Sequence, residues 1–173
     1  PIAALWGCCI LSPSDFGEET MKKENYELME NYMLSCMEDS AHDQEHIYRV
    51  LYHALEIAGE EVAVDYDVLI AACLLHDIGR DNEEEDECHG DKSVELIRSK
   101  NIRIKGIQLS KKGYRMAKLL IRHHCRKDEI GMERVCKVPG FSQRDIARAS
   151  KLYRIAKDMD GLDRVRFNGL DFR

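Results

Sequence analysis

The sequence predicts an all-α domain, and three observations carry that prediction. Only three prolines and few aromatic residues occur in 173 residues, which disfavours a fold of many short strands. Apolar residues recur every three or four positions in several segments, the period of a helix buried on one face. One run, residues 65–78, is apolar nearly all round and is expected as the central buried helix. Together they describe one helical bundle or layered array of helices, with no internal repeat or low-complexity segment.

Taken in order, residues 1–17 stand apart and carry no functional assignment; the chain starts with Pro1, and its apolar stretch, Ile2 to Leu11, is too short to cross a bilayer. Residues 18–173 form the expected helical domain. Within it, Tyr26, Met29, Met33 and Met37 give residues 18–39 helical spacing. Asp43 is a fitting N-cap for a helix carrying His46, Val50, His53 and Ile57, with Gly59 as its stop. After the central helix, Gly79 lets the chain turn away, and residues 81–87 are a charged loop. Asp91 is expected to cap a short helix through Ile97. A further helix carries Met116, Leu119, Leu120 and His123 and frays near Asp128. Residues 129–140, with Gly131, Pro139 and Gly140, are expected as a loop. Ser142 caps the last long helix, read through Ile146, Ala149, Leu152, Ile155 and Asp158.

A length of 173 residues suits one domain with a real core, and 44% hydrophobic with 34% charged residues is a globular composition somewhat rich in charge. The net charge of −6 argues against general nucleic-acid affinity, and with no span long enough to cross a bilayer, no membrane partner is expected. The charge is unevenly spread: Leu96 to Lys127 contains eleven Lys or Arg and no Asp or Glu, a face suited to an anionic substrate or to acidic neighbours elsewhere in the fold. The seven cysteines form no CxxC pair, and a reduced, cytoplasmic protein is expected.

The chemistry-bearing feature is His76-Asp77, placed where the apolar run Val68 to Leu75 ends. Charged and titratable groups are costly to bury unless paired or metal-bound. A lone histidine is most simply a satisfied core residue. Here His46, His76-Asp77, His89, His123-His124 and Asp158 recur across separate segments, which points to a metal centre built between helices. Imidazole and carboxylate suit Mn, Fe, Co, Ni or Mg, with Zn also possible, whereas structural zinc favours clustered thiolates. Both members of the adjacent pair ligate only if the helix end bends them to one point, and Ile78-Gly79 allows that bend.

Four segments, in this order, resemble the HD-domain superfamily of metal-dependent phosphohydrolases: "DQEHIYRVLYHALEIA", "YDVLIAACLLHDIGR", "CHGDKSVELI" and "AKDMDGLDRV". The resemblance spans residues 40–168 and implies an all-α, HD-type helical array with its metal site between helices. Carried over, it implies a first metal held by His46, His76, Asp77 and Asp158. A second would share Asp77 as a bridge and add His89 and His124, with His123 as the alternative. Asp160 is expected to point elsewhere, as a cap or salt bridge, and Cys88 and Cys125 to point away from the ligands they flank. Arg80, Lys92 and Arg126 each adjoin a proposed ligand and are the candidates for holding phosphate.

The implied activity is hydrolysis of a small phosphate ester, a nucleotide or related phosphomonoester or diester, by a water that one or two divalent ions activate. Asp77 orients that water. The alternatives are a di-iron oxygenase with the same His/Asp set and a non-catalytic regulatory module. The partner expected is a small phosphorylated substrate. The substrate itself, the metal and the oligomeric state are not encoded in any motif legible here.

Overall fold

The computed structural model describes residues 44–59, 61, 63–81, 86–104 and 107–168. The expected helix over 18–39 and the Asp43 cap lie outside them. The described residues form six α-helices and no strand: α1 (Gln44–Gly59), α2 (Tyr66–Leu75), α3 (His89–Ser99), α4 (Lys111–His123), α5 (Asp128–Cys136) and α6 (Gln143–Asn168). No helix among them is long and apolar enough to cross a membrane.

α2 is the axle. Asp65 caps it by accepting from the Val68 amide, and every residue from Val68 to Leu75 is buried. Each large apolar side chain so buried contributes roughly 1.5–3 kcal/mol of transfer free energy. α1, α4 and α6 all pack on this helix, α3 packs on α4, and α5 on α6. A helix apolar on all sides is stable only when surrounded in this way.

The helix ends at Leu75, earlier than the sequence pattern suggests, with His76 at its C-cap (φ −63°, ψ −40°). Asp77 and Ile78 therefore sit in the departing turn, closed by the Arg80 amide donating to the Asp77 carbonyl at 2.9 Å. α3 clamps this turn. The Ser93 hydroxyl donates to the His76 carbonyl at 2.6 Å and accepts from the Gly79 amide at 3.0 Å. Gly79 is required by closeness: a Cβ there would stand 2.7 Å from Ser93 Cα. Gly90 plays the same part against α4, where a Cβ would stand 2.7 Å from the Arg122 carbonyl oxygen.

Three local expectations differ from the structure. α3 begins at His89 with Cys88 at the N-cap, and Asp91 lies inside the first turn, where it pairs with Arg122 (2.9 Å) and Arg126 (2.6 Å) from α4 and its trailing turn. Residues 129–140 are not one loop, because α5 runs through Cys136. Gly131 reads as a breaker in sequence, at a helix cost of about 1 kcal/mol relative to Ala. In the fold it leaves room for the Tyr153 ring, whose Cζ would stand 2.6 Å from a Cβ at 131. Tyr153 is buried and donates to the His123 carbonyl at 3.2 Å, so the glycine admits a tyrosine that ties α6 to the end of α4. The third difference concerns α6. Ser142 does cap it, in a reciprocal box: the Asp145 amide donates to Ser142 Oγ (3.2 Å) and the Ser142 amide donates to Asp145 Oδ2 (3.0 Å). Yet the buried stripe runs Ala149, Leu152, Tyr153, Ala156, Met159, Asp160, Asp163 and leaves Asp158 exposed.

Candidate metal centre

Four histidines and three aspartates meet where α1, α3, α6 and the ends of α2 and α4 converge. His46, His76, Asp77, His89, His124, Asp160 and Asp163 are all at most 5% exposed. Such a concentration of ionisable groups is sustained only if each is paired or coordinates an ion.

The rings share one orientation rule. His76 Nδ1 lies 2.7 Å from the Cys73 carbonyl oxygen, His124 Nδ1 2.7 Å from that of Ile121, and His89 Nδ1 2.5 Å from that of Asp86. His46 Nδ1 lies 2.7 Å from Asp163 Oδ2. Each acceptor has no hydrogen to give, so the proton is assigned to Nδ1 in all four rings. That leaves the Nε2 atoms as lone pairs, and they face one another: His46 to His76 at 3.2 Å and His89 to His124 at 2.7 Å. Two neutral lone pairs repel at such distances, a repulsion that only a bound cation, or a proton on one ring, relieves. Two imidazole nitrogens each about 2.1 Å from one ion, at right angles, sit about 3.0 Å apart. The donor set therefore fits a divalent cation in each pair.

Asp77 stands between the pairs. Its Oδ2 is 3.6 Å from His46 Nε2 and 3.5 Å from His76 Nε2, while Oδ1 is 3.0 Å from His89 Nε2 and 3.3 Å from His124 Nε2. Each oxygen thus serves one pair, the disposition of a bridging carboxylate.

Electrostatics agree. Burial, the largest influence on His76, pushes its pKa down to about 4, so the ring is neutral at pH 7 and its Nε2 can ligate. His46 goes the other way: burial alone would lower it, but the Asp163 hydrogen bond and the Asp77 and Asp160 carboxylates raise it to about 9. With no ion bound, a proton is the cation that these carboxylates draw onto His46. Burial opposes ionisation of Asp163 too, yet hydrogen bonds from His46 and Arg49 hold its carboxyl well below the usual range. Arg49 Nε donates to Asp163 Oδ1 at 2.5 Å, so Arg49, Asp163 and His46 form a chain ending at the centre.

The last-ligand position needs correcting. Asp160 Oδ1 lies 3.8 Å from His46 Nε2, whereas Asp158 is exposed, and its partial burial, then the charge of Asp128, raise its pKa. The resemblance implies Asp158, the first Asp of its last segment. Continuing the buried Ala149, Leu152, Ala156 stripe by steps of four and three residues leads instead to Asp160 and Asp163.

Of the adjacent pair, His124 joins His89 at the centre. His123 is buried outside it, its Nδ1 without a hydrogen-bond partner; burial, then Arg126 and Arg122, push its pKa down to about 4. Among the three expected phosphate holders, Arg80 Nη1 lies 3.2 Å from His89 Nδ1, against the ligand ring. Lys92 is exposed and bonded to Asp81 (3.0 Å) and Asp86 (2.9 Å), and Arg126 is bonded to Asp91. Neither reaches the ligand rings in the contacts described. Cys125 does not point away as expected: its Sγ joins His89 and His124 in a group whose ligand atoms lie within 4.8 Å of one another, and it donates to the Glu87 carbonyl at 3.1 Å. Cys88 is exposed.

Two positioning residues carried no motif. Ser93 fixes the turn that bears Asp77. Lys157 donates to the carbonyls of His124 (2.9 Å) and Arg126 (2.8 Å), a cation closing the C-terminal end of α4.

The family model described as HD domain matches residues 44–165, more than half of the chain. No curated protein and no solved structure gives a significant match. The chain belongs to the HD-domain family, whose members bind divalent metals and are mostly metal-dependent hydrolases. Its all-α architecture is the one expected from the sequence.

Proposed function

We propose that this protein is a metal-dependent phosphohydrolase that cleaves a small phosphate ester, a nucleotide or a related phosphomonoester or diester. The observation that carries the reading is Asp77, with one oxygen toward each of two histidine pairs whose Nε2 lone pairs face each other. His46, His76, Asp77 and Asp160 would hold one ion, and Asp77, His89 and His124 a second. Held there, a divalent ion would supply acidification of a water toward neutral pH and would offset charge growing on phosphoryl oxygens.

The chain's own residues do the rest. Asp77 orients the attacking water through its two oxygens. Asp163 and the three backbone carbonyls keep the imidazoles in the ligating tautomer. Arg80, beside His89, is the cation placed to hold a phosphoryl oxygen, and its fixed charge favours the substrate's anionic form.

The deciding experiment is metal analysis of the purified protein, then EDTA treatment, reloading with Mn, Co, Ni, Fe, Mg or Zn, and a panel of phosphomonoesters, phosphodiesters and nucleotides. At least one class should be hydrolysed only after reloading. A protein that retains iron, changes colour under oxygen and hydrolyses none of the panel would replace this reading with oxidative chemistry.

A further inference from the structure

A groove of about 670 Å³ opens between α2, the connection that precedes α4, and α4 itself. Ala71 and Leu75 of α2 line it, together with the apolar side chains of Ile104, Ile107 and Leu109. Arg103, Lys111, Arg115 and Lys118 line it as well, and no carboxylate does. Among the described residues none of these four cations has an acidic partner within ion-pair distance. Their contacts are neutral. Arg103 lies 4.6 Å from the Tyr114 ring centre and donates to its hydroxyl at 2.7 Å, and Lys118 Nζ lies 4.6 Å from the same ring. Arg115 donates to the Pro139 carbonyl at 2.7 Å and rests over the Phe141 ring. Burial, then the like charges of Arg122, Arg98, Arg103 and Arg115, push Lys118 below its ordinary pKa. Elsewhere on the basic stretch, Arg122 and Arg126 pair with Asp91 and Lys112 pairs with Asp145. Four cations without an acidic partner among the described residues thus line the groove.

The groove is not an arm of the metal centre. On α4 the groove residues Lys111, Tyr114, Arg115 and Lys118 follow one helical face. His124 comes six residues after Lys118, about 9 Å further along and about 120° around the helix. On α2, Ala71 and Leu75 share a face, and His76 is turned about 100° from Leu75. Both helices therefore present the groove and the metal ligands on different sides.

We propose that the groove is a second binding site for an organic phosphate of nucleotide size. Its phosphates meet Arg103, Lys111 and Lys118, and its apolar or planar part rests on Ala71, Leu75, Ile104 and Ile107. The volume is within the roughly 300–1,000 Å³ usual for small-molecule sites. Four unpaired cations favour a polyanion, and an apolar base has no use for a bare one. This proposal does not depend on the hydrolase reading, since it needs no metal.

The test is calorimetric titration of the whole, EDTA-treated protein with ATP, inorganic triphosphate, adenosine and a single-stranded oligonucleotide. ATP should bind, more weakly as salt rises. Lys118→Glu should weaken it at least tenfold and Arg103→Gln several-fold, with circular dichroism unchanged. Asp77→Asn, in the metal centre, should leave ATP affinity within twofold. Arg103 is exposed, so its variant keeps the test valid should Lys118→Glu fail to fold. The proposal is overturned if ATP does not bind, if both groove variants bind it like the parent, or if Asp77→Asn abolishes binding. It is equally overturned if triphosphate or adenosine binds as tightly as ATP, or if only the oligonucleotide binds.

Discussion

The two histidine pairs of the centre differ in one ring, His46, which is held by a different means from the other three. His76, His89 and His124 each direct Nδ1 to a carbonyl three residues back in their own segment. His46 directs Nδ1 to Asp163, 117 residues away on α6. The first device is complete once its local turn forms. The second exists only when α6 is docked on α1, so one half of the centre is preset locally and the other reports on the packing of the whole domain. An ion bound to His46 and Asp160 would also fasten α6 to α1, coupling metal affinity to folding on that side.

The largest expected effect comes from the group common to both halves. Asp77→Asn should empty both pairs of metal and reduce phosphoester hydrolysis beyond the roughly 10–100-fold typical of losing an outer hydrogen-bond partner. Bound metal per chain, measured after gel filtration, checks it; retention of a full complement would show that the carboxylate is no bridge. Next is Asp163→Asn, which should weaken the His46 half by about 10–100-fold while sparing the His89–His124 half. Stepwise metal titration separates the two, and equal weakening of both steps would break the contrast.

A sharper version sets two aspartates of one helix against each other. Asp160→Asn should weaken metal binding in the His46 half, whereas Asp158→Asn, at an exposed position, should leave it unchanged. The opposite ranking would restore Asp158 as the ligand. The smallest effect lies at the start of α6, far from the ligands. Removing the cap with Ser142→Ala should cost about 0.5–2 kcal/mol in denaturant unfolding. Asp145, bonded to the Ser142 hydroxyl (2.6 Å), to Lys112 (2.9 Å) and to the Ser142 amide, is held well below the ordinary carboxylate pKa of 3.8. A depressed pKa stabilises the fold above the unfolded value and is lost as pH falls through the folded one. Stability should therefore fall as pH drops below about 4, and Asp145→Asn should flatten that limb of the curve.

Sequence alone determined a good deal. The all-α class, the central helix and the clustering of His46, His76, Asp77, His89 and His124 follow from residue type, spacing and resemblance, because periodicity and local turns are written within a few residues of one another. A bend beside His76-Asp77 was legible for the same reason, although it begins after Leu75, earlier than the run through Ile78 suggests. What only the tertiary structure decided depends on pairs far apart in the chain. Gly131 breaks helices in isolation but is helical here, because Tyr153 occupies the place of its side chain. Asp160 and Asp163, not Asp158, reach the centre because the docking of α6 on α1 fixes which third of that helix faces inward. The uncompensated part of the basic stretch became visible only when Asp91 and Asp145 claimed their own cations. Helical phase and charge pairing across distant segments are properties of packing, and a local pattern cannot carry them.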